Sequence, residues 1–331
     1  MALEFNQLTA RFLSKLGHRG AFATALSELA PRLPNLSVLT ADLASLTGLE
    51  RFKTAHPDKF YNLGIAEQNM IGVAAGMAKE GFVVFATTYA NFITMRAYEQ
   101  IRLNLGYMGF NVKVVGTGAG LAMGMSGNSH YGIEDMALMR ALPGIMVVSP
   151  CDGIEIVKAV FAAAEYRGPV YLRLAGAMNS PMVHTADYPF ELGKAVRLRE
   201  GRDVTIMATG TMVHESLEAA KLLDADGIAA AVVNVHTIKP LDIEVVVRAC
   251  AESALLVTAE EHSIVGGLGG AVAEAKAPLR QTPPQLFVGL PDTFGKVGEY
   301  KYLLKKYGLT ASDIAARIRA ALERRTVCRT E

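Results

Sequence analysis

The chain has 331 residues, enough for two domains of ordinary size. Hydrophobic residues make up 51% and charged residues 20%, which supports a full core and excludes an extended disordered chain. A formal net charge of +1 leaves no electrostatic footprint for nucleic acid and no basic patch for a membrane surface. The opening MALEFNQLTARFLSKLG lacks the charged start, apolar run and cleavage site of a signal peptide. Helical patterns are predicted over 3–16 and 20–32, the second broken at Pro34-Asn35. A short apolar strand, 36–40, ends at Ala41-Asp42-Leu43. Asp42 thus falls at a strand's carboxyl end, where open parallel sheets bind ligands.

Residues 60–96, FYNLGIAEQNMIGVAAGMAKEGFVVFATTYANFITMR, organise the chain. Glu67 begins an apolar helix that carries Gly72, Ala75, Gly76 and Ala78, small residues that let another backbone come close. A buried strand over 82–87 leads to an aromatic turn, Tyr89-Ala90-Asn91-Phe92. A carboxylate at a helix start beside aromatic rings suits a flat heteroaromatic ligand with a basic nitrogen. A helix-start carboxylate favoured by the macrodipole, beside ordinary core aromatics, reads the same way.

A helix over 98–105 and a strand over 112–116 follow. Residues 117–132, TGAGLAMGMSGNSHYG, form a long loop with no periodicity, expected to bind rather than to link. Then come a helix over 133–142, a strand over 145–149, a helix over 153–166 and a strand over 170–174. Residues 175–202 break the alternation and read as a domain connection, giving domains 1–185 and 186–331. Alternation resumes with strands over 204–208, 229–235, 254–258 and 286–288 and helices over 212–223 and 243–251. Glu260-Glu261-His262 reads as a turn, solvated in preference to an interface. Helices over 299–306 and 311–324 close the chain, the last capped at Thr310 or Ser312. The basic run Arg324-Arg325 with Arg329 reads as a solvated tail. The fold class expected is α/β, two doubly wound domains.

Cys151, Cys250 and Cys328 are odd in number, far apart and without CxxC, so a reducing, cytoplasmic setting is expected. The seven histidines show no paired metal-ligand spacing, and no metal site is expected on this chain. No apolar stretch is long enough to span a bilayer.

GIAEQNMIGVAAGMA, then FATTYANF, then GNSHYGIEDMALMRALPGI together resemble the transketolase family, with EEHSIVGGLG fitting its last domain. The resemblance covers nearly the whole chain and implies a pyrimidine-binding domain followed by the transketolase C-terminal domain. It implies thiamine diphosphate as cofactor. The family's diphosphate half is marked by GDG and a downstream Asn, and no GDG occurs here. The resemblance therefore implies an N-terminal transketolase subunit as partner, holding Mg or Ca with the diphosphate, in a heterotetramer with self-association of this chain.

Site roles follow from the same resemblance. Glu67 matches the glutamate that bonds a pyrimidine nitrogen and activates the thiazolium carbon. Burial raises a carboxyl pKa by as much as ~3–5 units in the limit, so a protonated role is physically available. Tyr89 and Phe92 match stacking aromatics, Met95 replaces a third, and Asp42 with Leu43 matches a pair beside the cofactor. His130 matches a histidine near the reacting carbonyl. Arg19 and Arg173 match arginines that hold a sugar phosphate, as a planar guanidinium suits. Two positions depart: Ser126 stands where an acidic residue reads a sugar hydroxyl, and Gly118 near a phosphate-side histidine. Xylulose 5-phosphate and ribose 5-phosphate, the family's usual substrates, are thereby less firmly implied. Three rivals stay open: a 2-oxoacid dehydrogenase beta subunit, a deoxyxylulose-phosphate synthase, and a non-catalytic scaffolding subunit.

Overall fold

The computed structural model describes residues 3–327, with side chains to 324. Two sheets organise it. The first holds β1 (Leu36–Thr40), β2 (Phe60–Asn62), β3 (Val83–Tyr89), β4 (Val112–Thr117), β5 (Met146–Val148), β6 (Val170–Leu174) and, from later in the chain, β10 (Thr237–Lys239). The second holds β7 (Val196–Arg199), β8 (Val204–Ala208), β9 (Ala230–Asn234), β11 (Leu255–Ser263) and β12 (Gln285–Leu290). The first runs in the order β10-β5-β6-β4-β3-β1-β2, the second β12-β11-β8-β9-β7. Every pairing is parallel except those of β10 with β5 and of β7 with β9. Central strands such as β1, β4 and β6 are buried at every position, as strands covered on both faces require.

The covering helices are α1 (Gln7–Leu29), α2 (Glu50–Ala55), α3 (Glu67–Lys79), α4 (Tyr98–Gln100), α5 (Asp135–Ala141) and α6 (Gly153–Glu165). In the second half they are α7 (Met212–Asp224), α8 (Ile243–Glu252), α9 (Leu268–Lys276), α10 (Tyr300–Lys306) and α11 (Ala311–Val327). α1 kinks at Gly17, whose φ is +69°, which divides the predicted pair of helices. Residues Phe92–Tyr107 form a helical run whose ends, Phe92–Arg96 and Ile101–Tyr107, are widened to π-turns. At the start of α11, Ala311 N donates to Glu215 Oε2 at 2.7 Å, while the Thr310 hydroxyl turns to Asp313.

Three findings depart from the sequence reading. β10 (Thr237–Lys239) lies beyond the connection in sequence yet adds to the first sheet, antiparallel to β5. The expected connection contains a strand, β7. The expected solvated turn Glu260-Glu261-His262 instead continues β11, and all three residues are buried. Their polar atoms find partners from distant segments, which is how buried charge is tolerated. The basic run and Cys328 are only partly covered: the side chains of Arg325 and Arg329, and all of Cys328, lie outside the described residues. Among the described residues no helix is long and apolar enough to cross a membrane.

Candidate active site

Glu67 occupies the first turn of α3, where the N-terminal end of the dipole favours a carboxylate. Its side chain is buried, and Oε1 accepts from Arg96 Nη1 at 3.0 Å. Arg96 lies four residues after Phe92 on one helical turn, and its guanidinium stacks over the Phe92 ring at 3.8 Å. The ring of Phe92 meets His130 at 5.3 Å and Tyr89 at 5.5 Å, and Tyr89 meets His130 edge-on at 5.8 Å. Arg19 covers Tyr89 from 5.6 Å. The structure therefore links Glu67, Arg96, Phe92, His130, Tyr89 and Arg19 in one continuous group. It lies at the carboxyl ends of β3 and β4, the edge that open sheets use for ligands.

Loops fix these side chains. Asn62 Oδ1 accepts from Asp42 N at 2.9 Å and Gly64 N at 3.1 Å, tying the end of β1 to the turn that opens α3. Asp42 itself adopts φ +59°, a conformation that Asp tolerates better than most residues. The glycine-rich loop is closed at its base by Gly120 N donating to Gly132 O at 2.7 Å. Gly120 has φ +65°, and a Cβ there would meet Glu261 Oε1 at 2.3 Å, so only glycine lets that carboxylate reach Leu121 N at 2.6 Å. His130 Nδ1 lies 2.9 Å from the Ser129 hydroxyl, and Asn91 Nδ2 donates to Ser129 O at 2.6 Å. A side chain at Gly118 would collide with Met123 and Arg19 Nη2, so Arg19 fills the space a histidine there would need. Arg19 Nη1 donates to Leu46 O at 2.7 Å, and burial pushes its pKa below the usual arginine value.

Other expected residues are less enclosed. Asp42 and Ser126 are exposed, Leu43 is half-buried, and Met95 is 42% exposed. Arg173 is a correction. Its side chain is buried against Asp135, Nε reaching Oδ2 at 2.8 Å. Nη2 donates to Gly132 O at 3.0 Å and to Glu261 O at 2.9 Å. With Nε and Nη2 bonded inward, the side chain braces the loop and the second domain. Gly72 and Gly76 have nothing within 4 Å of a built Cβ, so in this chain their face stands open. The residues that sequence reasoning missed are Arg96 and Asn62. Arg96 had a signal, its i+4 spacing from an aromatic on a helix.

Two doubly wound domains in tandem, with a carboxylate and aromatic shelf at the first sheet's carboxyl edge, define a two-domain α/β enzyme section. Family models for the transketolase pyrimidine binding domain and the transketolase C-terminal domain match residues 14–177 and 193–314. A putative transketolase C-terminal section from Methanocaldococcus jannaschii is 42% identical over 91% of this chain and 95% of that protein. A 6-deoxy-6-sulfo-D-fructose transketolase subunit from Clostridium sp. is 41% identical over 92% of this chain and 93% of its own length. A solved structure, a split gene transketolase described as an inactive beta4 tetramer, superposes with TM-score 0.84 and 46% identity. It covers 92% of this chain and 98% of that one. The chain belongs to the transketolase family and carries its pyrimidine-binding and C-terminal domains. Membership implies dependence on thiamine diphosphate. The residues fit the pyrimidine half of that cofactor: among the described residues Glu67 Oε2 has no partner, and the Phe92 ring lies beside it through Arg96.

Proposed function

We propose that this chain is the C-terminal subunit of a split transketolase. With an N-terminal subunit carrying GDG and a Mg or Ca ion, it transfers a two-carbon ketol unit from a ketose phosphate to an aldose. The observation that carries the reading is the continuous group from Glu67 to Arg19. Thiamine diphosphate, when bound, supplies the nucleophilic carbon and electron sink. The chain supplies the rest. Glu67 holds a proton at Oε2 for a pyrimidine nitrogen, with Oε1 anchored by Arg96. Tyr89 and Phe92 give the ring its stacking shelf, worth roughly 0.5–1.5 kcal/mol beyond area. Met95 adds a soft apolar contact, and Asp42 with Leu43 borders the cofactor at the end of β1. His130, with Nδ1 held by Ser129, offers Nε2 to a substrate oxygen and moves a proton there. The open face bearing Gly72 and Gly76 is the self-association surface of this reading.

Substrate preference follows from the anion grip. With Arg173 buried, Arg19 alone remains of the two expected phosphate arginines. Ser126 donates and accepts where an acidic residue would only accept, so hydroxyl configuration is read less strictly. The Clostridium relative is named for a sulfonated ketose, which supports a site that accepts more than one terminal anion.

The test is a donor panel with the reconstituted complex: xylulose 5-phosphate, fructose 6-phosphate, 6-deoxy-6-sulfo-D-fructose and pyruvate, with Ser126→Asp alongside wild type. Transfer of a two-carbon unit from a ketose, with a preference that Ser126→Asp alters, is the expected result. Turnover of pyruvate alone, or of no donor despite cofactor binding, overturns it.

A further inference from the structure

Away from Glu67 and His130, a second group of ligating atoms forms where α6, the inter-domain connection and the end of β9 meet. Cys151 Sγ, a Glu155 carboxylate oxygen and a His184 ring nitrogen lie within 4.8 Å of one another, all three residues buried. Local chemistry builds the arrangement. One oxygen of Asp152 caps α6 by accepting from Glu155 N at 2.9 Å. Its other oxygen accepts from Val183 N at 2.9 Å and His184 N at 2.6 Å. A single carboxylate thus holds both the helix start and the segment that delivers His184.

Hydrogen bonding accounts for Glu155. Oε2 accepts from Cys151 N at 2.7 Å, and Oε1 from Tyr188 Oη at 2.8 Å and Asn234 Nδ2 at 2.7 Å. It does not account for His184 or for the amide oxygen of Asn234. His184 Nε2 is buried and has no hydrogen-bond partner, standing 3.6 Å from Glu155 Oε1. Among the described residues Asn234 Oδ1 is buried and unpartnered as well, while its amide nitrogen donates to Cys151 Sγ at 3.6 Å. Such orphans call for a missing partner.

We propose that Cys151, Glu155 and His184 bind a divalent, borderline-soft metal ion of the zinc class at the seam between the two domains. Thiolate, imidazole and carboxylate form a zinc-type donor set and suit neither magnesium nor calcium. Nitrogen and oxygen ligands of tetrahedral zinc stand roughly 3.3–3.6 Å apart, given bonds of 2.0–2.2 Å. The His184–Glu155 separation of 3.6 Å already matches. Thiolate and carboxylate together balance the charge of the ion, so the ion and its three ligands are neutral as a unit. A water in the fourth position would donate to Asn234 Oδ1, satisfying the second orphan. The ion would pin the connection to the first domain and, through Asn234, to the second. No ligand belongs to the catalytic group, so this proposal stands or falls apart from the transketolase reading.

Cys151 and Glu155 come from one helix start, His184 from about thirty positions further on, and only one ligand is a histidine. A search for paired histidines or CxxC passes over them.

The experiment uses the full chain, purified without a histidine tag from zinc-supplemented medium. Metal content is measured by mass spectrometry, and the stripped protein is titrated with Co(II). One zinc per chain and a near-ultraviolet thiolate-to-Co(II) charge-transfer band, displaced by zinc, are expected. Cys151→Ser should abolish the band, and His184→Gln should weaken Co(II) binding at least about tenfold, as ligand or near-ligand loss does. Cys250→Ser and Cys328→Ser should leave both unchanged. Circular dichroism checks that each variant folds; if Cys151→Ser fails to fold, the His184→Gln affinity decides. Wild type without metal, a cobalt spectrum lacking the thiolate band, or a band that survives Cys151→Ser overturns the proposal in favour of a metal-free hydrogen-bonded cluster.

Discussion

Two ion pairs of nearly equal length do different things in this molecule. Glu67 and Arg96 are 3.0 Å apart, with the Arg96 side chain 50% exposed. Asp135 and Arg173 are 2.8 Å apart and both fully buried. Around Asp135 both oxygens are engaged: Arg173 Nε reaches each of them, and Tyr171 Oη donates to Oδ2 at 2.6 Å. Around Glu67 one oxygen keeps its lone pairs, and Arg96 faces solvent. On the proposed reading, spare bonding capacity, more than charge or burial, marks the working carboxylate. The same contrast separates Arg19, at the rim of the aromatic group, from Arg173, which holds the glycine-rich loop to the second domain.

Breaking the closed pair should have the largest effect. Arg173→Ala leaves the Asp135 charge buried and unpaired, which typically costs about 3–5 kcal/mol. Urea unfolding followed by circular dichroism should show a loss of that size, with activity falling as folded protein is lost. A variant within about 1 kcal/mol of wild type that instead raises KM only for phosphorylated donors would return Arg173 to the substrate.

The open pair should behave in the opposite way. Glu67→Gln removes the proton-holding group and keeps the shape, so stability should change by less than about 1 kcal/mol. Activity of the reconstituted complex should fall by about 10²–10⁴-fold, the usual range for general acid–base groups. Retention of kcat within a few-fold would mean that the free oxygen does no chemistry.

The contrast was only half legible in the sequence. Alternating apolar strands and helices gave the sheets, because strands buried on both faces read as short apolar runs. Glu67 and the aromatics were legible because they are neighbours in one stretch. Glu260, Glu261 and His262 were not. Their polarity looked like solvation, but Leu268 N and Gly269 N satisfy Glu260 at 2.7 and 2.8 Å, and Tyr300 Oη satisfies Glu261 at 2.7 Å. Those donors are brought together only by the fold. β10 escaped notice for a similar reason: a short strand ahead of Pro240, its partner β5 lies about ninety residues earlier. The role of Arg173 turned on Asp135, thirty-eight residues earlier in the chain and brought to it only by the fold.

An intermediate effect tests the closed region by pH. His262 is buried as a neutral ring, Nδ1 donating to Ser263 O at 2.7 Å and Nε2 accepting from Ala137 N at 3.3 Å. Burial lowers its pKa from 6.5 to about 4, against the pull of Asp135 and with the help of Arg173. Between those values the unfolded chain binds the extra proton and the folded chain does not. Stability from this residue is thus complete above pH 6.5 and is lost as pH falls towards 4. Relative to His262→Asn, wild type should lose roughly 3 kcal/mol across that window at most. Glu260, 3.7 Å away and raised by burial to about 7, titrates in both proteins. Parallel stability curves for the two proteins from pH 7 to 4 would show that His262 is charged when folded.

The smallest effect is expected from Arg96→Ala, and it decides how the open pair works. The lost ion pair is half exposed, and such pairs contribute about 0.2–1 kcal/mol. The stacking over Phe92 adds a term of similar size at a solvent-facing ring. Stability should therefore fall by only about 1 kcal/mol, well short of the loss in Arg173→Ala. Function should suffer by looser placement of Glu67 Oε2, since Oε1 loses its anchor while the carboxyl stays in the first turn of α3. The readout is a split: weaker cofactor binding by up to about tenfold, with kcat at saturating thiamine diphosphate much closer to wild type than in Glu67→Gln. Arg96→Lys keeps the charge without the planar stack, so it should restore part of the binding. If Arg96→Ala instead lowers kcat as deeply as Glu67→Gln, Arg96 takes part in the proton transfer, and the open pair works through both of its members.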